Sequence, residues 1–228
     1  METFGPDALK ILEIVWVNII LSGDNAVVIA MACRGLPPDK QRMGMILGAG
    51  VAIVLRIVFT LLIATLLATP YLKIAGGLLL LWVAVKLVTG EEEDESGVRV
   101  SDKLWQAVKT VAIADAVMSL DNVLAIAAVA KDSTFLLILG LAISIPLIVA
   151  GASIIISLLE RFPILVWAGA ALLGWIAGEM IVTDPAVVSR VGLDITHRAE
   201  IPAAIVAAIF VVGLGYLLAR RRPAESRA

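Results

Sequence analysis

The 228 residues are 61% hydrophobic, with a mean hydropathy of +1.01 and a formal net charge of −2. Soluble domains average about 45–50% apolar residues, so the surplus has no core large enough to hide in and must face lipid. The small net charge excludes a nucleic-acid partner held on a basic surface. One cysteine (Cys33) and one histidine (His197) exclude an internal disulfide and zinc, haem or iron–sulfur sites built from the usual spaced ligands, so metal chemistry here must use oxygen ligands.

A bilayer-crossing helix needs about 20 mostly apolar residues. The first such stretch, 11–33, is interrupted by Ser22-Gly23-Asp24-Asn25. Ala30-Met31-Ala32 before Cys33 has the shape of a signal-peptidase site. Glu2, Asp7, Glu13 and the polar interruption are wrong for a cleaved signal, so the segment is read as helix 1. Pro37-Pro38 separates it from a second span, 43–67, which carries Arg56 near its middle. Pro70 opens a third, 70–89, with Lys86 near its end. The hydrophilic stretch 90–103 follows, opening with Glu91-Glu92-Glu93-Asp94-Glu95, and reads as a solvated linker rather than an ion collector. Spans 104–130, 135–159 and 163–183 come next, with Pro163 at the start of the last. Pro185 and Pro202 bracket a connection to a seventh span, 202–219, and a basic tail.

Lysines and arginines decide orientation. Arg34, Lys40, Arg42, Arg99, Lys103, Lys109, Arg161, Arg220, Arg221, Arg222 and Arg227 fall on one side; Lys10, Lys73, Lys131, Arg190 and Arg198 fall on the other. Eleven against five places the N-terminus outside, with the 90–103 linker and the C-terminus in the cytosol of a multi-pass cell-membrane protein.

The two halves repeat each other. Ser22-Gly23-Asp24-Asn25-Ala26-Val27-Val28-Ile29-Ala30 matches Ser119-Leu120-Asp121-Asn122-Val123-Leu124-Ala125-Ile126-Ala127, and Asn18 matches Asp115. In the next helices Ile46-Leu47-Gly48 matches Ile138-Leu139-Gly140. In the third pair Pro70, Ala75, Gly76, Trp82 and Ala84 match Pro163, Ala168, Gly169, Trp175 and Ala177. Three spans per unit is an odd number, so the second copy enters the membrane upside down. The expected fold is an all-α integral membrane protein of about seven transmembrane helices, formed by two inverted three-helix repeats and a C-terminal helix. Its parts are 1–89 (first repeat), 90–103 (linker), 104–183 (second repeat) and 184–228 (outer loop, seventh helix and tail). Inverted repeats are an architecture of secondary transporters, whose sites lie near the midplane where the repeats meet.

Asp24 and Asp121 occupy equivalent mid-membrane positions, where a carboxylate costs at least ~2.5–3.5 kcal/mol and is retained with a partner or a function. A cation held between them, with the carbonyl oxygens of Asn25 and Asn122, would satisfy all four; hydrogen bonds between helices are the alternative. On a regular helix Asn18, Ser22 and Asn25 share one stripe, as do Asp115, Ser119 and Asn122. Each Asp is turned about 100° from the adjacent Asn, so either both faces line one cavity or the helix is distorted. Oxygen ligands suit hard divalent ions. Met118 could add a thioether or simply pack. Arg56, matched by Ile148 in the second half, reads equally as a counter-ion for the empty site or as one half of a structural pair. Lys86 and Glu179 occupy matched positions with opposite sign; Lys86 reads as an interfacial anchor and Glu179 as a guard of the outer mouth.

These motifs, with Ala114-Asp115-Ala116-Val117-Met118-Ser119-Leu120-Asp121-Asn122-Val123 and Gly76-Gly77-Leu78-Leu79-Leu80-Leu81-Trp82, resemble the TerC family, named for tellurium resistance. The likeness is nearest its YjbE-like branch, within the broader LysE-type transporter group, and covers residues ~10–185. The resemblance implies a polytopic membrane protein of metal-ion homeostasis, with Mn2+ efflux the leading activity. Asp24 and Asp121 match the family's ion ligands, and Asn18, Asn25, Asp115 and Asn122 stand in support.

Three functions compete on this basis. An exporter of Mn2+ or another divalent ion comes first. Exchange against protons is compatible with it, because metal binding needs deprotonated carboxylates. A membrane partner that supplies metal to secreted enzymes, or a component of a tellurium-resistance complex, is the non-transport alternative. An intramembrane aspartyl protease is disfavoured, since Leu21 stands where its Gly-x-Gly-Asp motif needs a glycine, and no enzyme is expected. The residues leave a homo-oligomer open.

Overall fold

The computed structural model describes residues 12, 15, 16, 23–90, 100–130 and 134–221, with the side chains of 63–68, 100, 120–130, 134–137 and 221 left out. All regular structure among them is helical: α1 (Gly23–Cys33), α2 (Pro38–Ala68), α3 (Leu72–Thr89), α4 (Val100–Ala130), α5 (Thr134–Arg161), α6 (Ile164–Val182), α7 (Pro185–Val191) and α8 (Leu193–Arg221). Five of these contain a stretch long and apolar enough to cross a membrane: Pro38–Leu62, Leu72–Thr89, Ile138–Arg161, Ile164–Val182 and Leu193–Arg220. They coincide with five of the seven expected spans. The first expected span is described over the 11 residues of α1, and the fourth, α4, carries Asp102, Lys103, Lys109 and Asp115. The protein is a multi-pass membrane protein, and large apolar side chains such as Val54, Leu78, Ile154 and Ile209 lie on its outer surface.

Helices α1, α2, α4 and α5 form one group, in which α2 packs on α4 and α5, and α1 packs on α4 and α5. Helices α3, α6 and α8 form a second group against it, with α6 in the middle. With lipid outside, this second group gains little from hydrophobic burial and is held by close backbone approach at small residues. A Cβ on Gly178 would lie 2.6 Å from the Ala203 carbonyl oxygen, and one on Gly174 would lie 2.9 Å from that of Ala207. Gly174 and Gly178 form a small-x-x-x-small stripe on α6, and it meets the Ala203 and Ala207 stripe of α8. On the other flank of α6, a Cβ on Gly77 would lie 2.9 Å from the Ala177 carbonyl oxygen.

Two boundaries differ from the sequence expectation. Pro202 does not begin the last helix: α8 starts at Leu193 and runs through it, so the expected outer loop is partly helical and also contains α7. A proline interrupts one backbone hydrogen bond but is tolerated where neighbouring helices hold the segment, and Ala203 and Ala204 press directly on Gly178 of α6. The second difference lies in the linker, where α4 already begins at Val100. Gly90, in the left-handed conformation at φ 68°, ends α3 at the other side of the linker. The acidic run 91–95 lies outside the described residues.

Candidate functional site

Helix α4 passes through Asp121-Asn122 as one unbroken helix, so the backbone is not opened at the second motif. One turn apart on it, Asp115 and Ser119 face α2. Arg56 of α2 donates through Nη2 to Asp115 Oδ1 at 2.7 Å and through Nε to Ser119 Oγ at 3.3 Å. Ser119 in turn donates to Asp115 Oδ2 at 3.1 Å. Arg56 is 2% exposed and Asp115 3%, so the pair lies inside the bundle rather than at the headgroups. An ion pair so placed is tolerable only because charge and hydrogen-bonding capacity are met together. Arg56 thus has an acid partner from the other half of the chain, an arrangement that fits a counter-ion and a structural pair alike.

Against this pair lies the first motif. Asn25 is 4% exposed, and among the described residues neither its Nδ2 nor its Oδ1 has a hydrogen-bond partner. An amide buried without partners costs about 1–3 kcal/mol in proteins, so a water or an ion at this position would find both a donor and an acceptor. Asn25 borders a cavity of about 10 Å³ that is also lined by Ala49, Ala52, Ile53, Arg56, Asp115 and Ile148. That volume is near the least that admits one water-sized sphere. Asp24 is half-buried beside it, accepts the Asn25 N–H at 2.8 Å, and lies within electrostatic range of both Arg56 and Asp115.

The remaining expected site residues are placed as follows. Asn18 and Ser22 lie outside the described residues; Asp121 and Asn122 have a described backbone only. Met118 is buried in the apolar core. Glu179 accepts a hydrogen bond from Trp175 Nε1 at 2.7 Å, and its matched residue Lys86 sits 5.5 Å from the centre of the Trp82 ring. Among the described residues, no three His, Cys, Asp or Glu side chains gather as a metal cluster.

One buried acid was missed. The Asp184 carboxylate accepts the N–H groups of Tyr71 (2.9 Å), Lys73 (3.0 Å) and Ile74 (3.2 Å) at the start of α3, and that of Ala186 (2.7 Å) at the start of α7. It caps two helices at once. Burial acts to raise its pKa, but these four N–H groups outweigh it and hold the carboxyl below its ordinary value. The Asp184-Pro185 step, a helix-capping residue followed by proline, was the available signal for α7. Nothing local announces the link to α3, 110 residues away.

The model of the integral membrane protein TerC family matches residues 4–224. The chain belongs to the TerC family. It is 38% identical over 208 residues to the uncharacterized membrane protein YjbE of Bacillus subtilis (strain 168), covering 91% of this chain and 95% of that protein. Two further relatives from the same organism are the uncharacterized membrane proteins YceF, 29% identical over 71% of this chain and 66% of that protein, and YkoY, 27% identical over 76% and 62%. No solved structure matches this TerC-family chain.

Proposed function

We propose that this TerC-family protein is a secondary transporter that exports a divalent cation, with Mn2+ as the leading cargo. The observation that carries the reading is the unpartnered amide of Asn25, buried at a small cavity beside Arg56 and Asp115 and within a turn of Asp24. Intramembrane ionisable groups facing a bundle interior mark ion and proton pathways. In the proposed site Asp24 and Asp121 supply charge, and the Asn25 and Asn122 carbonyls complete the ligand set. Asp115 is held by Arg56 in the substrate-free protein, so the guanidinium balances the acid until a cation arrives.

The inverted-repeat reading draws support from the packing. Exchanging the two halves turns the α1–α5 contact into the α4–α2 contact, and both are present. The matched residues Arg56 and Ile148 line the same cavity. Trp82 and Trp175, also matched, each engage a charged residue four positions on. Proton exchange, an N-outside orientation and a cell-membrane location complete the proposal.

The test is uptake into proteoliposomes of purified protein across a panel of divalent ions, with a pH-sensitive dye enclosed. Mn2+ uptake accompanied by opposite proton movement is expected. Vesicles that move no divalent ion without an added partner would overturn the transporter reading.

A further inference from the structure

The α2–α5 seam holds a second space that the buried site does not account for. It is a groove of about 750 Å³ between the N-terminal half of α2 and the C-terminal half of α5. Gln41 and Arg42 line it from α2, and Ser153, Ser157 and Glu160 line it from α5. The last three recur at four- and three-residue spacing and so form one polar stripe down α5. Immediately beside that stripe the helix is apolar, and Ile154 is 63% exposed. The Ser153 and Ser157 hydroxyls donate to the Val149 and Ser153 carbonyls of their own helix, and their oxygens keep acceptor capacity that, with Gln41, Arg42 and Glu160, gives this groove a polar wall.

The groove leads to the site. Along α2, Gln41 and Met45 line the groove, and Ala49, Ala52 and Arg56 continue the same helical face into the small cavity. On α5, Ile145 and Val149 line the groove, and Ile148 between them lines the cavity. Met45 at the groove, and Ala49 and Ile148 at the cavity, form the layer of side chains where the two linings adjoin along these helices. Met45 Sδ is itself touched by Ser153 Oγ at 3.6 Å. Beside these residues α5 contains Pro146, which has no N–H to donate and so leaves one backbone hydrogen bond of the helix unmade.

We infer that the α2–α5 groove is a water-filled vestibule through which a hydrated divalent cation reaches the buried Asp/Asn site. The layer of Met45, Ala49 and Ile148 is its gate, and Pro146 is the hinge on which the C-terminal half of α5 moves. The cargo of this vestibule rests on the transporter reading; its water filling does not. The mouth carries Arg42 and Glu160 and is cytosolic in the proposed orientation. Glu160 and the serine hydroxyls supply oxygen contacts for a hydrated ion, and Arg42 keeps the mouth from trapping it.

Water access is testable because the chain has one cysteine, Cys33, which is buried. On a Cys33→Ala background, Ser153→Cys and Ile154→Cys are compared in oriented vesicles with a charged, membrane-impermeant methanethiosulfonate reagent; the cysteine thiolate attacks its sulfenyl sulfur and expels methanesulfinate, and forming the thiolate requires water. Ser153→Cys should react at least about tenfold faster than Ile154→Cys, and only from the face that carries Arg42. Ala49→Cys should react more slowly from that same face and be protected by Mn2+. Labelled Ser153→Cys should lose Mn2+ uptake. Equally slow labelling of Ser153→Cys and Ile154→Cys in vesicles that still transport would mean that lipid fills the groove, and would overturn the vestibule alone. Reaction of Ala49→Cys only from the opposite face would overturn the route. Wild-type vesicles that move no divalent ion would overturn the transporter reading and the cargo together, while the labelling pattern still decides whether the groove is wet.

Discussion

Arg56 of α2 and Asp115 of α4 are joined by a 2.7 Å ion pair across 59 residues of sequence, with both side chains almost fully buried. The pair ties the first half of the chain to the second at the cavity that Asn25 borders. Each charge is 2–3% exposed and so depends on protein partners rather than on bulk water.

Arg56→Leu should therefore destabilise the protein by about 3–5 kcal/mol, the cost of leaving a buried charge unpaired. The double variant Arg56→Leu/Asp115→Leu should recover part of that loss, because both charges of the pair are removed together. Unfolding midpoints of the wild type, both single variants and the double variant in one detergent measure this. A double variant as unstable as Arg56→Leu would show that the pair contributes through packing rather than charge.

Asn25→Leu separates stability from function. Replacing an unpartnered buried amide by an apolar side chain of similar size should stabilise the fold by about 1–3 kcal/mol. Divalent-ion binding should fall in the same variant, since a carbonyl ligand is gone. Thermal unfolding and isothermal titration with Mn2+ on one preparation read both effects. Loss of stability would mean that Asn25 serves the fold.

Asp24→Asn and Asp121→Asn should each weaken Mn2+ binding by at least about tenfold, or ~1.4 kcal/mol, because one negative charge cannot balance two positive ones where the dielectric is low. The two defects should be non-additive, since loss of either arm disables one shared site. Titration of both single variants and the double variant decides it. Near-normal binding in both singles would reduce the Asp-Asn motifs to helix–helix contacts.

Asp184 predicts an acid limit. Its folded pKa lies below the ordinary 3.8, so its contribution to stability is present above the unfolded pKa and disappears as pH falls through the folded one. Stability should be level near neutrality, begin to fall near pH ~5 and decline further below pH ~4. Asp184→Asn should be less stable by roughly 2–4 kcal/mol at pH 7, as two capped helix starts lose a charged acceptor, and flatter with pH. Unfolding midpoints from pH 7 to pH 3 give both slopes; parallel slopes would remove Asp184 from the acid response.

Much of this protein is legible without coordinates. A lipid-facing chain must be apolar along some 20 residues at a time, so composition and the spacing of Pro70, Pro163 and the acidic run reveal a polytopic helical protein. The cost of mid-membrane charge likewise singles out Asp24, Asp121 and Arg56 before any fold is known, with Asp115 marked only as the match of Asn18. Pairing, however, is a matter of distance between segments, which periodicity does not encode. Arg56 had a candidate role but no partner until α2 and α4 were packed together. Asp184 drew no notice in the sequence, because its role depends on the N–H groups at the start of α3 that its carboxylate accepts. Pro202 looked like a boundary because its local penalty is fixed, yet close packing of α8 on Gly174 and Gly178 overrode it. Local cost is written in each residue and can be read in order along the chain. Compensation comes from whatever lies across the interface, and only the tertiary structure decides what that is.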